Sequence, residues 1–366
     1  MFRNIYYGKR VMVTGATGFK GAWLCSWLLD LGAEVYGYSV DLVSSVNLFE
    51  EACLAKSVTH EFGDVRDYEK LEKFVTNVQP DFIFHLAAQA IVSVSYDAPV
   101  DTISTNVVGT TNILDIVRKM TKSVVAVIIT SDKCYENVEQ HWGYKETDTL
   151  GGKDIYSASK GAAELIFSSY SRSFFDPKSK QNIASARAGN VIGGGDWAKD
   201  RIVVDAIINW DLRQAVNVRS PQATRPWQHV LEPLSGYLWL GAKLAEQNIL
   251  GIHGESFNFG PRPEQVQTVA QLIDTLSQYW KNGEASAVLG NISPKFHEAG
   301  LLKLNIEKSI TFLDWEPTLN FDECCKLVSE WYSDFYAQRE TAENLVLRDI
   351  KSYCTHAKQR GNIWCQ

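Results

Sequence analysis

The sequence predicts an α/β protein: an open, doubly wound parallel sheet with a smaller α/β lobe interleaved into it. Three observations carry that prediction. Residues 10–13 form an apolar strand that runs into Thr14-Gly15-Ala16-Thr17-Gly18-Phe19-Lys20-Gly21, after which Trp23, Leu24, Trp27 and Leu28 recur at helical spacing. Further apolar strands at 34–40, 81–85 and 124–129 are separated by segments of helical periodicity, the alternation that builds parallel sheets. With 366 residues, 45% of them apolar, the chain has enough material for two unequal lobes.

The first strand, turn and helix have a chemical reading. Glycines let a backbone approach a pyrophosphate, and the N–H groups that open a helix bind its oxygens. Gly15, Thr17, Gly18, Phe19, Lys20 and Gly21 are therefore candidate contacts to a dinucleotide. Three glycines alone would make only a tight turn. The second strand, however, ends in Asp41, about 20 residues past the last glycine, where a carboxylate accepts bonds from the adenosine ribose and repels a 2′-phosphate. The combination points to a Rossmann-type sheet holding NAD rather than NADP.

Asp64 and Val65 follow a short third strand, with Asp64 either at an adenine amino group or an ordinary acidic turn residue. The fourth strand enters Leu86-Ala87-Ala88-Gln89, whose small residues leave room for a cofactor. His85 reads as packed core. Between 99 and 120 apolar positions cover much of a helix's circumference, marking it as buried or shared with a partner. Asn106, inside it, is either structural or a support for the site.

The fifth strand ends in Thr130-Ser131-Asp132-Lys133, which places polar side chains where ligands sit in open α/β sheets. A polar loop, 134–154, borders this position. Tyr156 and Lys160 then follow four apart, on one face of a helix. A phenol with an ordinary pKa of about 10 is a poor base, but an ammonium one turn away and a cationic nicotinamide favour the phenolate. Tyr156 can then take a proton from a sugar hydroxyl while hydride leaves the same carbon. Most Tyr-x-x-x-Lys pairs are surface pairs; this one gains meaning from the fingerprint and strand end before it.

A formal charge of −7 and a pI near 5.6 offer no basic surface for nucleic acid or anionic membranes. Seven cysteines without Cys-x-x-Cys spacing read as reduced thiols, with neither a disulfide framework nor a metal site. Residues 1–10 lack an apolar signal core, and no run approaches the roughly 20 residues that span a bilayer, so a cytoplasmic location is expected.

Through the glycine segment 13–21, Phe84-His85-Leu86-Ala87-Ala88-Gln89, 130–135, Tyr156-Ser157-Ala158-Ser159-Lys160, 187–197, Arg225-Pro226-Trp227-Gln228-His229-Val230 and Asn258-Phe259-Gly260-Pro261-Arg262, the chain resembles the nucleotide-sugar 4,6-dehydratases. These belong to the extended short-chain dehydrogenase/reductase superfamily, and the resemblance covers roughly residues 8–331. The pattern is nearest the branch that acts on CDP-glucose. The resemblance implies a redox cycle on bound NAD: C4 of the sugar is oxidised, water is lost across C5 and C6, and hydride returns to C6. It implies Tyr156 as base at the C4 hydroxyl, Lys160 as its electrostatic partner and ribose anchor, Ser131 as the hydroxyl on the reacting oxygen and Asp132 as acid to the leaving C6 hydroxyl. Val65, Leu86, Ala87, Ala88, Gln89, Asn106 and Thr130 would border the cofactor, and Gln89 the sugar as well.

Lys133 departs from the dTDP-glucose branch, where a glutamate follows the aspartate and removes the C5 proton. Here the lysine either serves as that base or stabilises the enolate while water or another side chain takes the proton. The nearest alternatives are a dehydratase for dTDP-glucose or GDP-mannose, and a 4-epimerase of the same fold. The implied assembly is a dimer through paired helices near Ile103 and Ile166, or a tetramer.

The expected division is an NAD-binding domain at 1–190 to which 228–259 return, and a nucleotide-sugar lobe at 191–227 and 260–335. The tail, 336–366, has no assigned role. In the lobe, Asn190, Lys199, Arg201, Arg225 and Arg262 are candidate donors to a diphosphate, which guanidinium groups bind in bidentate fashion. Trp197 and Trp227 either border the base or fill core, and His297 is a candidate nucleotide contact.

Overall fold

Seven parallel strands form the main sheet of the computed structural model, which describes residues 1–42, 44–176, 179–246, 251–290 and 301–366. In chain order the sheet and its principal helices are β1 (Arg10–Thr14), α1 (Phe19–Asp30), β2 (Glu34–Ser39), β3 (Thr59–Phe62), α2 (Tyr68–Val78), β4 (Phe82–His85), α3 (Gly109–Lys119), β5 (Val124–Ile129), α4 (Ile155–Phe174), β6 (Gln181–Arg187), α5 (Leu231–Leu244) and β7 (Ser256–Asn258). Their order across the sheet is β7-β6-β5-β4-β1-β2-β3. It reverses between β1 and β4, so the loops leaving those strands part and open a crevice at their carboxyl ends.

Side chains alternate between two cores. Val11 and Val13 of β1 enter one with α1 and α5, while Met12 enters the other with α2, α3 and α4. All six residues of β5 are buried, which is why that strand reads as an unbroken apolar run.

The helix expected between 99 and 120 is interrupted. Pro99–Ile103 passes into a π-helical stretch, Ser104–Val108, before α3 begins. The wider turn places Asn106 at 1% exposure. Short two-stranded ladders occupy the second half of the chain: Val191–Ile192 with Gln228–His229, Thr224–Arg225 with Gln267–Thr268, and Val216–Val218 with Ala287–Leu289.

The larger core also takes in α6 (Val269–Tyr279), α7 (Phe321–Tyr336) and α8 (Ala342–Gln359). Helix α8 lies in the tail whose composition suggests little. Thr341 caps it by accepting the Asn344 N–H, and Leu345, Val346, Ile350, Tyr353 and Ala357 line its buried side. The charged residues between them mask the periodicity in the sequence. Beyond it, Trp364 stacks on Tyr353 and on Phe2, with ring centroids 5.5 and 5.2 Å apart, and meets Trp27 of α1 edge-on.

The chain's two ends are thus locked through one fully buried indole. Trp364→Ala is expected to destabilise the fold by roughly 3–5 kcal/mol, lowering the urea midpoint with an unchanged slope.

Candidate active site

At the end of β5 the Thr130 N–H still bonds to Ala186 O across the sheet, at 2.9 Å. Ser131 then leaves the sheet in an extended conformation and caps a single 3-10 turn, Asp132–Cys134, by accepting the Lys133 N–H at 3.2 Å. Its hydroxyl donates to Asp132 Oδ1 at 3.0 Å, and Asn190 Nδ2 donates to Oδ2 at 3.1 Å. The carboxylate lies against Gly189, where an added Cβ would fall 1.8 Å from Asp132 Oδ2. Only glycine leaves that seat open.

Helix α4 is started by Asp154, which accepts the Ser157 N–H at 2.9 Å and the Ser157 hydroxyl at 2.6 Å. With its start fixed there, Tyr156 and Lys160 face inward and are 7% and 6% exposed. The Ser131 side chain lies beside the Tyr156 phenol, so the strand end and the helix meet. Burial pushes the phenol up to about 12; the neighbouring Ser131 hydroxyl lowers it, Asp132 raises it and Arg201 lowers it. The expected phenolate is therefore not a property of the protein alone, because burial outweighs the cations that reach it. Lys160 is lowered to about 8 by burial and then by Lys20, against the opposing pull of Glu164 and Cys134.

Gly15 (φ +72) and Gly21 hold the turn after β1 so tightly that a Cβ on Gly21 would fall 2.0 Å from Gly15 O. The turn is tied to β2 by bonds from Gly15 N–H to Tyr38 O at 2.8 Å, Thr17 N–H to Ser39 Oγ at 3.2 Å and the Thr17 hydroxyl to Asp41 O at 2.6 Å. Asp41 is exposed beside it. Gly18 begins α1 without a side-chain cap, leaving the first N–H groups of Phe19, Lys20 and Gly21 to an anion. Across the crevice Leu86, Ala87 and Ala88 are partly exposed. A dinucleotide fits this set.

Lys20 reaches beyond the glycine turn. Although partly exposed along its length, its amine is lowered to about 8 by burial and by Arg201, with Asp132 and Asp196 opposing. Its charged surroundings are those of the strand-end cluster.

Several expected ligand contacts also hold bonds within the protein. Both Asp64 oxygens accept from Arg66, through its N–H at 2.8 Å and its guanidinium at 2.6 and 2.9 Å. Val65 is buried. Asn106 accepts the Gln89 N–H at 2.8 Å and donates to Gln89 O at 3.0 Å and Ser159 Oγ at 2.8 Å, so it braces the site. The Gln89 side chain bonds to Thr102 and to the Ile91 N–H. Thr130 donates its hydroxyl to Glu164. His85 is held between the Thr14 and Thr110 hydroxyls, and burial pushes it down to about 3.

The donors expected for the diphosphate divide. Asn190 turns its amide to Asp132 instead of outward, made possible by its left-handed backbone (φ +53). Arg201 pairs with Asp196 and is felt by Tyr156 and Lys20, whereas Lys199 is exposed. Arg225 is 9% exposed and donates to Thr224 O. Arg262 pairs with Glu316 at an open groove of about 360 Å³ that Arg360 also lines. Trp197 fills an aromatic cluster with Trp331 and Phe335, and Trp227 is buried. His297 lies outside the described residues. Among the described residues no group of His, Cys, Asp and Glu could hold a metal ion, and no helix is long and apolar enough to cross a membrane.

Sequence reasoning missed Glu164, although its signal was present: Tyr156, Lys160 and Glu164 are spaced at a constant interval of four. Glu164 is 1% exposed and paired with Arg187 at 2.7 Å.

The model of the GDP-mannose 4,6 dehydratase family matches residues 12–328. The chain is 43% identical over 334 residues to a CDP-glucose 4,6-dehydratase of Salmonella typhimurium, covering 90% of this chain and 92% of that one. Among solved structures, an epimerase of Methanothermobacter thermautotrophicus superimposes with a TM-score of 0.77 at 21% identity, over 92% of this chain and 96% of its own. A dTDP-glucose 4,6-dehydratase of Bacillus anthracis in complex with NAD superimposes with a TM-score of 0.72 at 20% identity, over 89% and 97%.

The burial of Lys160 has a measurable consequence. In the ligand-free protein its amine is expected to be half deprotonated near pH 8, about two units below an exposed lysine. Competitive acetylation across pH, read on the Lys160 peptide by mass spectrometry, measures that midpoint.

Proposed function

The chain belongs to the GDP-mannose 4,6-dehydratase family, and from that premise we propose that it is an NAD-dependent nucleotide-sugar 4,6-dehydratase converting CDP-D-glucose to CDP-4-dehydro-6-deoxy-D-glucose and water. The observation that carries this reading is the meeting of Ser131 and Asp132 with Tyr156 in one buried cluster, beside an uncapped helix N-terminus. The 43% identity to a CDP-glucose enzyme supports the choice of nucleotide and sugar.

In this reading Gly15, Thr17, Gly18, Phe19, Lys20 and Gly21 hold the diphosphate of NAD, Asp41 its adenosine ribose, and Leu86, Ala87 and Ala88 border it. When bound, NAD accepts hydride at one stage and returns it at another. Tyr156 takes the C4 hydroxyl proton while Ser131 hydrogen-bonds the same oxygen, and Lys160 supplies positive charge beside them. With C4 a ketone, the C5 hydrogen becomes acidic. Lys133, in the same turn as Asp132, takes that proton, and Asp132 protonates the C6 hydroxyl as it departs as water. Lys133 then returns its proton to C5, and the proton that Tyr156 took from the C4 hydroxyl replaces the one that Asp132 gave up. An epimerase of the same fold would need Tyr156 and Lys160 but no acid at C6; the seat built for Asp132 by Ser131, Gly189 and Asn190 favours elimination.

We also propose a homodimer. Val100, Ile103, Val108, Leu165 and Phe174 are exposed apolar residues of the stretch before α3 and of α4. Ile166, by contrast, packs inward, and Leu165 is the outward residue. A face of this kind calls for a partner.

Incubated with CDP-, dTDP-, GDP- and UDP-hexoses and no added cofactor, the purified protein is expected to remove one water from CDP-glucose, seen by mass spectrometry. Water loss from none of them overturns the dehydratase reading, and preference for dTDP-glucose overturns its substrate. In the same assay Lys133→Met should abolish deuterium exchange at C5; undiminished exchange removes Lys133 as the base. Leu165→Glu is expected to halve the mass of the particle in light scattering, and an unchanged mass moves the interface elsewhere.

A further inference from the structure

Glu164 is a buried carboxylate for which the proposed reaction has no use, yet its bonds join the two halves of the site. It lies one turn beyond Lys160 and two beyond Tyr156 on the inward side of α4. One oxygen accepts the hydroxyl of Thr130, the residue that precedes Ser131 at the end of β5. The other accepts Arg187 Nη2 at 2.7 Å and the hydroxyls of Ser185 and Ser256, each at 3.0 Å. Arg187 Nη1 in turn donates to Tyr135 OH at 2.7 Å and to Glu146 O at 3.2 Å, so the same pair anchors the start and the middle of the loop that follows Lys133.

We propose that Glu164 is a positioning residue of the reaction: through Thr130 it fixes Ser131 against Tyr156, and through its charge one turn from Lys160 it keeps that lysine protonated. The first role follows from the bonds. A strand end and a helix that must present two hydroxyls to one sugar oxygen are tied below the site by a single carboxylate. The second follows from what surrounds Lys160. Lys20 approaches it from α1, His85 from β4, Cys134 from the turn after β5, and Tyr156 and Glu164 from α4. Lys20 opposes its charge, while burial holds His85, Cys134 and Tyr156 neutral at physiological pH. Among these described neighbours Glu164 supplies the negative charge. Burial pushes its own carboxyl up, and Arg187 with the Thr130 and Ser256 hydroxyls brings it below the usual range, so it stays ionised.

The purpose assigned to the site rests on the dehydratase reading, whereas the ionisation of Lys160 does not, and the two are measured separately. In Glu164→Gln the acetylation midpoint of Lys160 is expected to fall by about one pH unit or more, a tenfold rise in the ratio of neutral to charged amine at fixed pH. The alkaline limb of CDP-glucose turnover should move down with it. Glu164→Gln leaves Arg187 without its counter-charge, so Thr130→Val serves as the second variant, keeping the pair and cutting only its link to β5. It is expected to lower kcat about tenfold or more, with KM and the Lys160 midpoint unchanged. An unmoved midpoint in folded Glu164→Gln overturns the charge role, and wild-type turnover in Thr130→Val overturns the positional one. A wild-type protein that dehydrates no nucleotide hexose, with a midpoint that still falls in Glu164→Gln, refutes the dehydratase reading and upholds the charge role of Glu164.

Discussion

The ion pair between Glu164 and Arg187 is the interaction on which the arrangement of the site depends. Both side chains are nearly inaccessible, at 1% and 3% exposure, and sit beneath the carboxyl ends of β5 and β6. Two charges out of water are stable only if their remaining hydrogen-bonding capacity is met. Here Thr130, Ser185 and Ser256 meet the carboxylate's, while Tyr135 and Glu146 O meet part of the guanidinium's. The cost of burying the pair therefore enforces a geometry. Strand end, following loop, helix α4 and β7 must all be in place at once.

The reaction centre above it follows the same logic at shorter range. Ser131 bonds to Asp132 and to the Lys133 N–H and lies beside Tyr156, so one hydroxyl stands between the residues assigned to redox chemistry and those assigned to elimination. Asp132 rests on Gly189 because no side chain intrudes there, and Asn190 holds it from the far side in a backbone conformation that asparagine tolerates better than most residues. Burial then sets the protonation states. It leaves Tyr156 neutral and Lys160 poised, so in the proposed reaction the cationic charge brought by bound NAD completes the activation of the phenol.

Much of this was legible in the sequence because it depends on local pattern. The glycine turn, its flanking strand and helix, the six-residue run of β5 and the four-residue spacing of Tyr156 and Lys160 are set by neighbours in the chain. Roles that depend on what a side chain meets across space were not. The resemblance places Asn106, Thr130 and Gln89 at the cofactor, and only the structure shows that each also holds a bond within the protein. Asn190 was read as a phosphate donor, yet a backbone turn invisible in the sequence points it at Asp132. Helix α8 escaped notice because its apolar positions are thinned by charge and become a stripe only when wound against α1.

By itself, then, the sequence determined the order of strands and helices and the chemical types gathered at the carboxyl end of the sheet, because periodicity and turn chemistry act within a few residues. The tertiary structure decided which of those side chains are free to act. Glu164 shows the division: its interval from Lys160 is written in the sequence, but its partners on β5, β6 and β7 come from positions 21 to 92 residues away. Folding alone brings them to one carboxylate.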